Sequence, residues 1–128
     1  MEYFSTRDTA PRLTASEAIS RGLAPDGGLF VPDTLPQIGE AELAALLPLG
    51  YGERAKRILA AYLPEYSDAE LEALVSASYG KNFDTEAIAP VRFTDDRTGY
   101  LELWHGPTSA FKDMALQMLP HLLTASLK

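Results

Sequence analysis

The chain has 128 residues, 46% of them hydrophobic and 23% charged, with a net charge of −7 and no cysteine. That length and balance suit one folded, soluble unit with an ordinary core, and they exclude a disordered segment. The charge leaves no clustered Lys and Arg for nucleic acid or an anionic membrane, the missing cysteines exclude a disulfide framework, a thiolate metal site and a cysteine nucleophile, and the apolar runs are too short to span a bilayer. The start, MEYFSTRDTAPR, has neither an apolar core nor a basic leader, so a cytoplasmic location is expected.

Tyr3 and Phe4 open a short strand that turns before Pro11. Thr14-Ala15-Ser16-Glu17 is a capping box with Leu13 and Ala18 placed as its staple, and Gly22 follows Arg21 where a left-handed residue ends a helix, so a helix is predicted from about Ala15 to Arg21. Ala24 to Pro32 reads as a turn feeding a strand that can pair with the one near Tyr3. Glu40 to Leu47 has helical composition up to Pro48, and Tyr51, Ala55, Ile58, Leu59 and Tyr62 share one face of a helix that Pro64 stops. Ser67-Asp68-Ala69-Glu70 is a second capping box, and Leu71, Leu74, Val75 and Ser78 line one face of the helix it starts, until Gly80.

Beyond Gly80 the periodicity shortens. Val91 to Thr94 and Tyr100 to Trp104 alternate around the turn-like Asp95 to Gly99, which predicts a hairpin, with Tyr100 and Trp104 on one face as core or interface residues. His105 to Thr108 breaks the strand, Ser109 to Leu119 resumes helical spacing, and Pro120 bends or restarts the helix. A strand, a loop and one helix cannot cover both faces of a sheet, so the region after Pro90 reads as the opening of a larger α/β domain. The expected fold class is therefore α+β: a mostly helical domain with short strands and hairpins over residues 1–85, then the truncated start of an α/β domain over residues 86–128.

Lys112 falls in the first turn of the helix predicted from Ser109. The partial positive charge of a helix N-terminus disfavours an ammonium there and favours the neutral amine, a nucleophile for aldehydes. Asp113 acts in the opposite direction, and local physics also accommodates an exposed lysine screened by Asp113 and water. Thr108 or Ser109 suits a cap, and Phe111 suits packing, with no chemistry required of them. His105 and His121 lack the spacing of a helical metal pair, so no metal is expected, and Gly27-Gly28 lacks the strand-to-helix context of a nucleotide fingerprint and reads as a structural turn.

The run His105-Gly106-Pro107-Thr108-Ser109-Ala110-Phe111-Lys112-Asp113 resembles the lysine motif of the threonine synthases, which belong to fold type II of the pyridoxal-phosphate enzymes. Ser5-Thr6-Arg7 and the block Gly22 to Pro32 agree with the same family in order and spacing, with one departure, Asp8 in place of the Gly usual after the Arg. The resemblance implies that residues 1–85 are the threonine synthase N-terminal domain and that residues 86–128 begin the pyridoxal-phosphate domain. It also implies that Lys112 holds pyridoxal 5'-phosphate covalently as a Schiff base, with the groups gripping the cofactor phosphate supplied from beyond Lys128. The implied reaction converts O-phospho-L-homoserine, a small-molecule substrate, and water to L-threonine and phosphate, with the isolated piece inactive.

Two alternatives stay open: a threonine-synthase-like phospho-lyase acting on related phosphorylated substrates, and a non-catalytic helical interaction module. Oligomeric state is not encoded in any recognisable pattern. One outcome follows from charge alone: no salt-dependent gel shift with DNA or RNA is expected at physiological ionic strength, and such a shift would favour the interaction module.

Overall fold

A computed structural model describes residues 1–128. In chain order it contains β1 (Tyr3–Ser5), α1 (Ala15–Arg21), β2 (Phe30–Pro32), α2 (Glu40–Leu46), α3 (Tyr51–Tyr62), α4 (Asp68–Ser78), β3 (Val91–Phe93), β4 (Gly99–Leu101), α5 (Asp113–Leu116) and α6 (Leu119–Ser126). This is a small α+β unit with two separate antiparallel strand pairs. β1 pairs β2 in the register Tyr3 to Pro32 and Ser5 to Phe30, as the sequence predicts, and Tyr3 also exchanges backbone bonds with Leu13 at 2.8 and 2.9 Å. The predicted hairpin forms with Val91 opposite Leu101, its turn held by Asp95 Oδ1 accepting from the amides of Arg97 (2.8 Å) and Thr98 (2.7 Å).

Local signals place the helices. Both capping boxes close: Thr14 Oγ1 accepts from the Glu17 amide while Glu17 Oε2 accepts from the Thr14 amide at 2.8 Å, and Ser67 and Glu70 repeat the arrangement at the same 2.8 Å. Arg54 closes the end of α2 by donating to the Leu46 carbonyl (3.0 Å) and the Leu47 carbonyl (2.7 Å), orphan acceptors that the helix itself cannot satisfy.

The core gathers around Ala15, Leu63 and Leu71, with Tyr3, Ile19, Leu59, Tyr62, Tyr66, Leu74 and Leu122 packed against it. α6 therefore lies on α1 and α4. Tyr66 stitches this contact, its hydroxyl 2.6 Å from Ser126 Oγ and 3.3 Å from Ser16 Oγ. On the same α4 face, Val75 and Ser78 are buried, and Ser78 Oγ meets Met118 Sδ at 3.4 Å.

The segment after His105 departs from expectation. In place of one helix from Ser109 to Leu119, the backbone stays in turns through Lys112, makes the single turn of α5, and restarts as α6 with Pro120 in its first turn. Ser109 has a φ of 55°, incompatible with a right-handed helix, and Pro120 lacks the N–H that a continuous helix needs. Tyr100 and Trp104 are 57% and 51% exposed, so they are not core of this chain, and β4 ends at Leu101 before their alternation is complete.

Leu71, 1% exposed where α1, α4 and α6 meet, carries the largest expected core effect. Leu71→Ala should destabilise the chain by about 2–5 kcal/mol in urea titration. Leu47→Ala, at a residue 67% exposed, should change stability by no more than about 0.5 kcal/mol.

Candidate functional site

The Ser5-Thr6-Arg7 block and the glycine block, distant in sequence, meet at Asp26. Its Oδ1 accepts from Ser5 Oγ (2.7 Å) and the Gly28 amide (2.9 Å), and its Oδ2 accepts from Thr9 Oγ1 (2.7 Å) and the Thr9 amide (3.2 Å). The Arg7 guanidinium donates to the Asp26 carbonyl at 2.9 Å, and Thr6 Oγ1 accepts from the Leu29 amide at 3.0 Å. These bonds, led by the one from Ser5 and followed by that from Gly28, hold the Asp26 carboxyl well below the usual carboxylate range.

Gly28 is required here, because a Cβ at that position would lie 2.1 Å from Ser5 Oγ. Gly27 turns the chain with a φ of 79°, so the glycine pair is a structural turn as the sequence suggests. Asp8, the residue standing where the resembling family has glycine, adopts a φ of 55°. The glycine-favouring conformation thus survives the change, since aspartate tolerates the left-handed region better than most residues.

The second cluster surrounds Lys112. Its side chain is exposed and makes no ion pair or hydrogen bond. Lys112 precedes α5 at the N-cap position, without a side-chain cap, and does not fall within the first turn. With α5 only four residues long, the helix-charge argument for a neutral amine loses its basis. Asp113 does not screen Lys112 either: it is fully buried, its Oδ2 accepts from the Thr108 amide at 2.8 Å, and Thr108 Oγ1 donates to the same carboxylate, 3.0 Å from Oδ1 and 2.9 Å from Oδ2. Thr108 is thus engaged with Asp113 and caps nothing, and Phe111, expected to pack, is 65% exposed.

The next turn is anchored from the helical unit. Tyr79 donates to the Met114 carbonyl at 2.7 Å, and Asn82 Nδ2 donates to Gln117 Oε1 at 2.9 Å. Burial pushes the Tyr79 phenol up to about 12, keeping it a donor. Upstream, His105 lies between Glu102 Oε2 (2.7 Å) and Asp84 Oδ1 (2.5 Å), and its ring is raised above the ordinary histidine value, first by the Glu102 bond and then by the Asp84 bond. No group of three or more His, Cys, Asp or Glu side chains has metal-holding geometry. No helix is long and apolar enough to cross a membrane. Sequence reasoning missed Asp26, Asp113 and the His105 bridge. Only Asp26 carried a usable signal, as an aspartate preceding a glycine turn.

Together these features define a class: an α+β unit of short helices and paired strands, knotted at an aspartate and closed by a loop presenting one unpaired lysine. Residues 2–79 match the family model described as the threonine synthase N terminus, and the chain belongs to that family. It is 42% identical over 123 residues to a threonine synthase of Pseudomonas aeruginosa, covering 96% of this chain and 26% of that protein. It is also 42% identical over 110 residues to the human threonine synthase-like 1, covering 84% of this chain and 15% of the relative. Among solved structures, the PLP-bound threonine synthase of Brucella melitensis superposes with a TM-score of 0.94 at 41% identity, covering 99% of this chain and 27% of that one. The Escherichia coli threonine synthase gives 0.88 at 31% identity, with 99% and 28% covered. The chain thus spans about a quarter of the length of the threonine synthases it matches.

The Asp26 knot predicts an acid dependence. Because its folded value is lowered, its stabilising contribution is complete above the unfolded value of about 4 and is lost as the pH falls below that toward the folded value. Asp26→Asn should lower the melting temperature at pH 7 and flatten its decline in acid. Gly28→Ala should cost about 1–3 kcal/mol at any pH, through steric conflict with Ser5.

Proposed function

We propose that the chain is the N-terminal part of a pyridoxal-phosphate-dependent threonine synthase, in which Lys112 holds the cofactor covalently. The reaction is the conversion of O-phospho-L-homoserine and water to L-threonine and phosphate, in the cytoplasm. The observation that carries the proposal is the membership of the chain in the threonine synthase N-terminal family together with the place of Lys112 in the lysine motif; its amine is exposed and unpaired, and the adjacent carboxylate is turned into the protein and engaged with Thr108. A primary amine free of ion pairs is the donor that an aldehyde cofactor requires, so the residues present fit the group. In this reading residues 1–85 form the N-terminal domain, and residues 86–128 begin the cofactor domain, which makes the fold of the whole enzyme that of fold type II.

When bound, pyridoxal phosphate supplies an electron sink. The chain's own part is threefold. The loop from Gly106 to Lys112 presents the amine that would hold the cofactor, the Tyr79 and Asn82 bonds fix the turn that follows it, and Lys112 Nζ, when free, would take and return protons at the substrate's carbon centres. Over the whole reaction the γ-carbon exchanges its bond to phosphate for one to hydrogen, and the β-carbon exchanges one hydrogen for the hydroxyl of water, so one proton is removed at the β-carbon and one supplied at the γ-carbon. A mobile amine suits repeated proton transfer better than a carboxylate fixed by two bonds, as Asp113 is.

The similarity to threonine synthase-like 1 favours a second reading, a phospho-lyase that uses Lys112 in the same way on a related phosphorylated substrate. Product analysis separates the two, since only the first releases L-threonine from O-phospho-L-homoserine.

Lys112→Ala should abolish turnover in the full-length enzyme. Lys112→Arg should do the same, because a guanidinium keeps the charge but stays protonated and cannot capture an aldehyde. Borohydride reduction followed by peptide mass spectrometry should place the cofactor mass on Lys112. A label on another lysine, or an active Lys112→Arg enzyme, would overturn the assignment.

A further inference from the structure

Asp113 is a fully buried carboxylate with no cation beside it, and every side-chain bond it makes goes to Thr108. Burying a carboxyl group is costly unless its oxygens are hydrogen-bonded, and here no ion pair contributes. What the carboxylate provides instead is geometry. It satisfies the Thr108 amide and hydroxyl together, and so closes a ring of backbone from Thr108 to Asp113 that contains Lys112.

The ring is tight. A Cβ on Gly106 would lie 2.5 Å from Asp113 Cβ and 2.6 Å from its Oδ2, so the loop can pass only because glycine stands there. Within the ring Ser109 is held at a φ of 55°, in the region that favours glycine. Apart from the Asp113 carboxylate, the backbone bonds bracing this stretch are local ones: Ser109 to Gly106 and Asp113 to Ala110, both 3.0 Å, and, on the far side, Met114 to Phe111 (3.3 Å) and Ala115 and Leu116 to the Lys112 carbonyl (3.0 and 2.8 Å). α5 is a single turn and has little rigidity of its own. Lys112 thus sits between an anchor on its far side, Tyr79 and Asn82 acting on Met114 and Gln117, and one on its near side, the Thr108–Asp113 clamp.

We propose that Asp113 is a positioning residue for Lys112: its buried carboxylate, bound to the amide and hydroxyl of Thr108, closes the loop and sets the direction in which the Lys112 amine projects. The proposal rests on the reading that Lys112 is the reacting amine. It assigns Asp113 a geometric role, acting through the backbone and not through its charge. Asparagine therefore serves as the discriminating substitution, since it keeps the shape, accepts from the Thr108 amide through Oδ1 and donates to Thr108 Oγ1 through Nδ2.

The test uses the full-length enzyme. Borohydride labelling first locates the reactive lysine in the unaltered protein, and a label away from Lys112 overturns both the lysine assignment and the positioning role. With the label on Lys112, Asp113→Ala should lower kcat about a hundred-fold with KM little changed, the loss expected for a misplacement of about an ångström. In the cofactor-free protein, Asp113→Ala should also speed hydrogen exchange of the 106–113 peptide, and cofactor added to that variant should be trapped on Lys112 more slowly. Asp113→Asn should recover most of the lost kcat, to within about threefold of the unaltered enzyme. Thr108→Val, which removes only the hydroxyl bond, should lower kcat about tenfold. If Asp113→Ala fails to fold, Asp113→Asn and Thr108→Val decide the matter. The proposal is overturned if Asp113→Ala folds and keeps its kcat and trapping rate, if Asp113→Asn loses as much kcat as Lys112→Ala, or if Thr108→Val is indistinguishable from the unaltered enzyme.

Discussion

The contact of Leu71 with Ala15 and Leu63 is the point on which the remaining structure depends. α1 has seven residues and α6 has eight, lengths at which an isolated helix does not persist in water, so each depends on packing: the two lie against one another, α6 also against α4, and Ala15 of α1 reaches Leu71. Tyr66 reinforces the arrangement by reaching Ser16 on one side and Ser126 on the other. The consequence for function lies on the same helix. Tyr79 caps α4 and Asn82, in the turn beyond it, donates back to the Ser78 carbonyl at 2.9 Å; together they hold the turn after Lys112, so the lysine loop is tied to the end of a core helix.

Two aspartates organise the irregular backbone by one physical device. The carboxylates of Asp26 and Asp113 each accept from a backbone amide and a hydroxyl without an ion pair, the Arg7 guanidinium reaching only the Asp26 backbone carbonyl, and each faces a glycine whose missing Cβ lets the chain approach, Gly28 in the first case and Gly106 in the second. Segments outside helices and strands have amides with no built-in acceptor, and a carboxylate, able to accept several bonds at once, supplies it. The two differ in depth. Asp26 is reached by bonds from several residues and remains partly open to solvent, whereas Asp113 is sealed with one partner. The first ties β1 to the turn before β2, and the second shapes a loop of a few residues around Lys112.

The lysine loop combines fixity with exposure. Its backbone is held by Asp113 beneath and by Tyr79 beyond, while Phe111 and Lys112 project outward. The β3–β4 hairpin beside it is likewise exposed at Val91, Phe93, Tyr100 and Leu101, with no core of its own behind it. Val91, Phe93 and Leu101 share one face of the hairpin and leave it open as a contiguous apolar surface, while Tyr100 lies with Arg92 on the other face.

The parts legible in the sequence were those in which the deciding atoms lie within a few residues of one another. The Thr14–Glu17 and Ser67–Glu70 boxes, the α4 stripe of Leu71, Val75 and Ser78, and the hairpin around Asp95 all formed where local pattern placed them. The lysine motif was likewise readable, because a family signature needs only order and spacing. What the sequence did not determine was the conformation of that motif. Apolar spacing from Ser109 to Leu119 suggested a helix, but the Thr108–Asp113 bonds and the left-handed Ser109 hold the chain in a loop, since side chains that bond the backbone locally compete with helix formation. The remaining decisions join residues far apart in the chain, Ser5 with Asp26 across 21 positions and Tyr66 with Ser126 across 60. No periodicity records such pairings, because only the packed core brings these residues within hydrogen-bonding distance.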